Sequence, residues 1–140
     1  GAFFLAWEPK RHIGAALVNA PGALTWNELA SPDLDASAQF YGDLFGWSTE
    51  AMPDSPMPYL VIKNSEGQTN GGMRPKMESE PPYWLVYFGT EDADAGLAKA
   101  GELGATTLAE PMDIGPTGRI AIAQDPQGAV FALYAGRFED

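Results

Sequence analysis

The chain repeats itself. Trp26-Asn27-Glu28-Leu29 opens a stretch that runs through a helix-forming segment to Leu44-Phe45-Gly46. Trp84-Leu85-Val86-Tyr87 opens a second that ends at Glu102-Leu103-Gly104. The opening tryptophans stand 58 residues apart (84 − 26), and so do the closing glycines (104 − 46). A unit that recurs at fixed spacing buries its apolar face against its neighbour. Two copies therefore predict a pseudo-symmetric fold with a cleft between them.

Local pattern assigns the elements of each copy. In the first, Leu24 to Leu29 reads as a strand, Ser31 as a helix cap, and Pro32 as the first helical residue. Asp33 and Asp35 suit the positive end of that helix. Leu34, Ala38, Tyr41 and Phe45 fall on one stripe, and Gly46 stops it. Short strands are expected over 47–51, 59–63 and 71–77, with Gly71-Gly72 read as a bulge. In the second copy a strand over 83–88 precedes Thr90 as cap, then a helix with Ala93, Leu97, Ala100 and Leu103 on one face. Strands over 106–108, 119–123 and 130–134 complete it, the last behind an Asp125-Pro126-Gln127-Gly128 turn. The modules span about 24–77 and 83–135, each β-α-β-β-β. The expected class is α+β, a curved mixed sheet around a cleft with helices on the outer face.

Composition narrows the function classes. At 140 residues the chain carries a net charge of −11 and only eight Lys and Arg, which speaks against a nucleic-acid partner. There is no cysteine, so disulfides, thiol nucleophiles and Cys-ligated metals are excluded. No apolar run approaches the roughly 18 residues needed to span a bilayer, and no signal-peptide pattern is present. The expectation is a cytoplasmic protein with no membrane partner.

The first seven residues resemble the last strand of the chain itself. Gly1-Ala-Phe-Phe-Leu-Ala-Trp7 aligns without a gap on Gly128-Ala-Val-Phe-Ala-Leu-Tyr134. We read 1–7 as the last strand of a preceding, related domain, 8–23 as a polar linker broken by Pro9, Gly14, Pro21 and Gly22, and 24–140 as the domain proper.

Three stretches carry a resemblance to a known family: Asp33 through Phe40-Tyr41, Leu44-Phe45-Gly46-Trp47, and Asp125-Pro126-Gln127-Gly128-Ala129. Together with the β-α-β-β-β duplication they resemble the vicinal oxygen chelate superfamily of glyoxalase I, bleomycin-resistance proteins and extradiol dioxygenases. The linker and Trp26-Asn-Glu-Leu29 are similar to the interdomain junction of two-domain bacterial glyoxalase-like or hydroxylase-like members. The resemblance implies a small-molecule ligand and pairing with a sister domain or as a homodimer. It also implies metal ligands on the first strand of each module and in the last strand. Those positions hold Trp26, Trp84 and Ala132 here, which removes the expected ligand set. No cofactor is expected, although a divalent metal stays open.

Glu28 shares a strand face with Trp26, because strand side chains alternate. It is the candidate catalytic residue, as general base, as a contact for a cationic group or as a metal ligand; Arg119 is its candidate partner and a further ligand contact. Trp26, Trp84, Tyr59 and Met73 are expected to line an apolar pocket for a planar or aromatic ligand. His12, the single histidine, is read as an exposed linker residue. Three functions follow: a metal-independent binding domain, a hydroxylase- or lyase-like enzyme using Glu28 or residues of the other domain, and a non-catalytic assembly module.

Overall fold

The computed structural model describes residues 1–138. Eight strands and two helices follow one another as β1 (Leu24–Ser31), α1 (Leu34–Phe45), β2 (Ser48–Ala51), β3 (Leu60–Lys63), β4 (Thr69–Pro75), β5 (Tyr83–Gly89), α2 (Ala93–Glu102), β6 (Thr106–Asp113), β7 (Gly118–Gln124) and β8 (Val130–Gly136). This is the expected α+β class, built twice in the order β-α-β-β-β. By contacts the chain divides into two compact units. One comprises Gly1–Leu5 and Trp26–Leu85; the other comprises Ala6–Thr25 and the residues from Val86 onward.

In the first unit the strands lie in the order β2-β3-β4-β1. β1 runs parallel to β4, with Glu28 opposite Gly72, Leu29 opposite Met73 and Ala30 opposite Arg74. The β2–β3 and β3–β4 pairs are antiparallel. Alternation along β1 and β4 sends Leu29 and Met73 to the face that α1 covers, where they bury with Tyr41 and Ile62. Glu28 and Arg74 belong to the opposite face. The second unit repeats the plan in the order β5-β8-β7-β6. β5 is parallel to β8, and Leu97 of α2 packs with Ala121 and Ala123 of β7 against Phe131 and Leu133 of β8. The Asp125 side chain accepts from the amides of Gln127 and Ala129, and Gly128 takes the left-handed conformation at φ 99° that closes the turn.

Both helices start two residues later than the sequence suggested. Asp33 and Asp92 are the caps, each accepting from the amide three residues on (Ala36 and Ala95, both 3.0 Å). Ser31 instead bonds the Asp33 amide and the Ser37 hydroxyl, and Thr90 donates to the Asp92 carbonyl. These serve the turn before the helix. Leu103, placed on the buried face of α2 by its spacing, is exposed, because the helix ends at Glu102 and Leu103 is its C-cap.

β6 runs on to Asp113, well beyond the expected 108. It contains Pro111, which an edge strand tolerates because no neighbour needs that amide. Its pairing with β7 shifts register twice. Residues 1–7 form no strand among the described residues. Phe4 instead sets its ring edge-on to Phe40, Tyr41 and Phe45 of α1, so aromatic packing rather than a backbone ladder holds the segment.

The caps also correct the register of the repeat. From Asp33 to Asp92 the offset is 59 (92 − 33), not the 58 that aligns the tryptophans. The counterpart of Trp26 is therefore Leu85, and the counterpart of Glu28 is Tyr87. A one-residue slip in a strand turns every side chain to the other face.

Candidate functional site

Five side chains on the first-unit side opposite α1 form one continuous hydrogen-bonded chain. The Trp26 indole Nε1 donates to the Tyr59 hydroxyl at 3.0 Å, and that hydroxyl donates to Glu28 Oε2 at 2.9 Å. Glu28 Oε1 accepts from Arg74 Nε at 2.8 Å. The Arg74 guanidinium then forks onto Glu80, through Nη1 to Oε1 and through Nη2 to Oε2 at 3.2 Å. Arg74 Nη1 also donates to its neighbour's carbonyl, Pro75 O, at 3.1 Å. Glu28 and Arg74 are 6% and 7% exposed, so this is a buried ion pair with a second carboxylate at its rim.

The strands dictate this arrangement. Glu28 and Trp26 sit two apart on β1, and Gly72 and Arg74 two apart on β4, so all four positions face one way. Tyr59, just before β3, lays its side chain across Gly72 to reach Glu28. A Cβ on residue 72 would stand 2.1 Å from the Tyr59 hydroxyl. Only a glycine lets the phenol pass. Glu80 comes from the connection between β4 and β5, where its Oε1 also accepts from the Met77 amide at 2.7 Å. No buried side-chain polar atom among the described residues lacks a hydrogen-bond partner.

The electrostatics follow from burial and pairing. Burial, reinforced by the Glu28 charge, pushes the Tyr59 phenol far above its usual range, so it remains a proton donor. Burial works against the Arg74 charge. Hydrogen bonds to Glu80 and Glu28 outweigh it and raise the guanidinium further above its ordinary value. Burial likewise opposes ionisation of Glu80, but the Arg74 and Met77 hydrogen bonds prevail and hold its carboxyl below the ordinary carboxylate value. Tyr83 nearby is raised by burial and then by the Glu80 charge.

The structure thus joins Trp26, Glu28 and Tyr59 and separates the other sequence-chosen residues from them. Met73 is fully buried on the α1 side. Trp84 packs against that same core and donates from its indole Nε1 to the Tyr41 hydroxyl of α1 at 3.0 Å. Trp84 and Met73 therefore lie on the α1 side of the sheet rather than with Trp26 and Tyr59, Trp84 because of the one-residue slip in the repeat and Met73 because it alternates with Gly72 and Arg74 along β4. Arg119, expected beside Glu28, instead pairs at the surface of the second unit with Asp94 (Nη2–Oδ1, 3.0 Å) and Asp113 (Nη1–Oδ1, 3.0 Å). Those hydrogen bonds, Asp94 first, raise its pKa and lower that of Asp94. Glu28 takes Arg74 as its cation. His12 lies in the linker, its Nδ1 accepting from the Gly14 amide at 3.1 Å.

Arg74 and Glu80 are the members that sequence reasoning missed. A signal existed for the first: Arg74 stands two residues beyond Gly72 in an expected strand, on the face of the glycine. Glu80 lies in a connecting loop, where spacing carries no facing information.

The side chains do not suit a divalent cation. The position where the family resemblance expects a histidine holds an indole, whose nitrogen has a hydrogen to give and no lone pair to offer. Its true counterpart, Leu85, and Ala132 in β8 offer no donor either. The Glu28 carboxylate already faces a guanidinium, which repels a second cation. No three acidic, histidine or cysteine side chains converge among the described residues.

With fold and site in view, the chain belongs to the Glyoxalase/Bleomycin resistance protein/Dioxygenase superfamily, which it matches over residues 23–133. Among its relatives is CFP32 of Mycobacterium tuberculosis, named as a glyoxylase, 42% identical over 134 residues that cover 95% of this chain and 51% of that protein. Another is the anthracycline biosynthesis protein DnrV of Streptomyces peucetius, 35% identical over 130 residues, covering 82% of this chain and 47% of the relative. The chain spans about half the length of these relatives. Solved structures share the fold. A methylmalonyl-CoA epimerase variant of Streptomyces coelicolor, in complex with 2-nitronate-propionyl-CoA, matches with a TM-score of 0.59 at 20% identity, covering 84% of this chain and 99% of that one. The Mn(II)-bound glyoxalase of Novosphingobium aromaticivorans matches at 0.58 and 17% identity, over 86% of this chain and 42% of that one. No helix among the described residues is long and apolar enough to cross a membrane.

Proposed function

We propose that this domain binds a small organic molecule against the first-unit sheet face that carries Trp26 and Tyr59, and does so without a divalent metal. The observation that supports this reading most is the chain from Trp26 through Tyr59 to the Glu28–Arg74 pair. It fixes two partly exposed aromatic rings in place on buried, mutually satisfied charges. Fixed aromatic rings give a planar ligand a large apolar contact at little entropic cost. Methylmalonyl-CoA epimerases solved with 2-nitronate-propionyl-CoA or methylmalonyl-CoA share the fold, which is consistent with a small-molecule role for it.

Within this reading Glu28 is a positioning residue. Taking a proton from a ligand would neutralise the carboxylate charge that holds the Arg74 and Tyr59 hydrogen bonds and weaken both. Each such charge-assisted bond is worth about 1.5–3 kcal/mol. Its role is to orient Tyr59, which orients Trp26.

Titration with a panel of bicyclic aromatic acids and amines, read by tryptophan emission, tests the proposal. A saturable change that disappears in Trp26→Phe and weakens on the order of tenfold in Tyr59→Phe is expected, tenfold corresponding to about 1.4 kcal/mol. Metal analysis of the dialysed protein accompanies it. A stoichiometric divalent ion that is lost in Glu28→Gln overturns the metal-free reading, and an emission unmoved by the whole panel overturns the ligand site.

A further inference from the structure

Arg74 stands between two carboxylates that are held differently. Glu28 belongs to β1 and takes the guanidinium Nε at 2.8 Å, while its other oxygen takes the Tyr59 hydroxyl at 2.9 Å. Glu80 belongs to the connection between β4 and β5 and takes the outer edge, through Nη1 and through Nη2 at 3.2 Å. Arg74 has anchors that do not involve Glu80: Nε on Glu28, and Nη1 on the Pro75 carbonyl at 3.1 Å. Charge points the same way. Glu28 and Arg74 already balance each other, so Glu80 is the surplus anion, and its departure leaves the buried pair neutral.

The groups that Glu80 meets make a receptor for a carboxylate. Besides the two guanidinium nitrogens, the Met77 amide donates to Oε1 at 2.7 Å, and the Tyr83 side chain hydrogen-bonds the same carboxylate. A guanidinium fork matches a carboxylate edge to edge. Lys76 adds a second positive charge to this connection, its Nζ donating to the Met77 carbonyl at 3.1 Å. The receptor also adjoins the aromatic face. Tyr59 and Arg74 sit on the two oxygens of one carboxylate, so a ring lying on the phenol has the guanidinium beside it.

We infer that the ligand of the Trp26–Tyr59 face is an aromatic carboxylic acid, whose carboxylate takes the place of Glu80 on the outer edge of Arg74. Glu80 is the internal stand-in that fills this receptor when no ligand is bound. The inference rests on the binding reading above and gives its ligand a chemical class. A neutral ring or an amine gains nothing from Arg74, whereas an acid replaces one charge-assisted fork with another. The exchange has a cost, because apparent affinity falls with the fraction of molecules in which Glu80 has left the edge.

Calorimetric titration of the whole chain with a naphthoate and with its neutral amide, in the wild type and in Glu80→Gln, tests this. The wild type is expected to prefer the acid. Glu80→Gln is expected to bind the acid more tightly, on the order of tenfold, and the amide no differently. A second readout needs no substitution: the acid, and not the amide, should shift the backbone amide resonance of Met77 in the wild type as Glu80 releases it. Acid and amide bound equally well by both proteins, an acid affinity that Glu80→Gln leaves unchanged, or an acid that binds while Met77 stays unmoved overturns the carboxylate class and leaves the aromatic face standing. Failure of both compounds to bind either protein overturns the aromatic face itself, and this inference with it.

Discussion

The two modules share a plan and differ in what they place on the sheet face away from the helix. In the first, β1 and β4 carry Glu28 and Arg74 there, joined by Tyr59, Trp26 and Glu80. In the second, the counterparts in β5 and β8 are Tyr87 opposite Ala132, with Leu85, Ile122 and Tyr134 on the same face. One copy carries buried charge there; the other carries none and sets two tyrosines among aliphatic side chains. The ion cluster of the second module lies outside, around Arg119. A duplicated scaffold therefore tolerates two opposite chemistries at equivalent places, provided each is internally satisfied. Buried charge is costly alone and bearable only when paired.

Removing Arg74 should break this contrast most. Arg74→Ala leaves Glu28 and Glu80 facing each other without a cation, and a loss of about 3–5 kcal/mol is expected by denaturant unfolding. Replacing all three at once (Glu28→Gln, Arg74→Met, Glu80→Gln) should recover much of that. A triple variant as unstable as Arg74→Ala would show that the guanidinium contributes more than neutralisation.

Gly72→Ala comes next. The added methyl cannot coexist with the Tyr59 hydroxyl, so the phenol must swing away and release both Trp26 and Glu28. About 1–3 kcal/mol of destabilisation is expected, with a shift in Trp26 emission. Stability lost without any change at Trp26 would mean the phenol finds another route to its partners. The second module offers the control, because Ala132 opposite Tyr87 already carries that methyl.

Acid should weaken the polar module. The folded-state pKa of Glu80 is lowered, so its contribution is fully present above its ordinary value of 4.5 and fades as pH falls through the lower folded value. Glu80→Gln should flatten the stability profile across that window. An unchanged profile would place the acid sensitivity elsewhere. The smallest effect is expected from Arg119→Ala. Its partners are exposed, and such surface pairs add little stability and are screened by salt. A larger, salt-resistant loss would erase the distinction between buried and surface ion clusters.

Much of this architecture is legible in the sequence, because periodicity is set by local geometry. The two helices, the Asp125–Gly128 turn and the β-α-β-β-β order of both modules follow from spacing and the duplication. What spacing could not supply is facing across the repeat. Trp26 and Trp84 look equivalent because identical residues align at 58, whereas the caps, and the strands before them, align at 59. Indole identity outweighed register, and the strand alternation then sent Trp84 to Tyr41. Arg119 was assigned to Glu28 as an available cation. Arg74 was closer in the fold but its partnership depends on β4 lying beside β1, a long-range fact. Glu80 belongs to a loop, and loops take their direction from what they contact rather than from their own pattern.

The outer strand β6 has a further consequence. An exposed strand edge invites neighbouring molecules to extend it into a shared ladder, and eight residues are long enough for that. Pro111 leaves a gap in the row of amides, and two register shifts bend the edge away from straightness. This rim therefore discourages stacking of one molecule onto another, and replacing Pro111 with valine would make crowded solutions more prone to cloud.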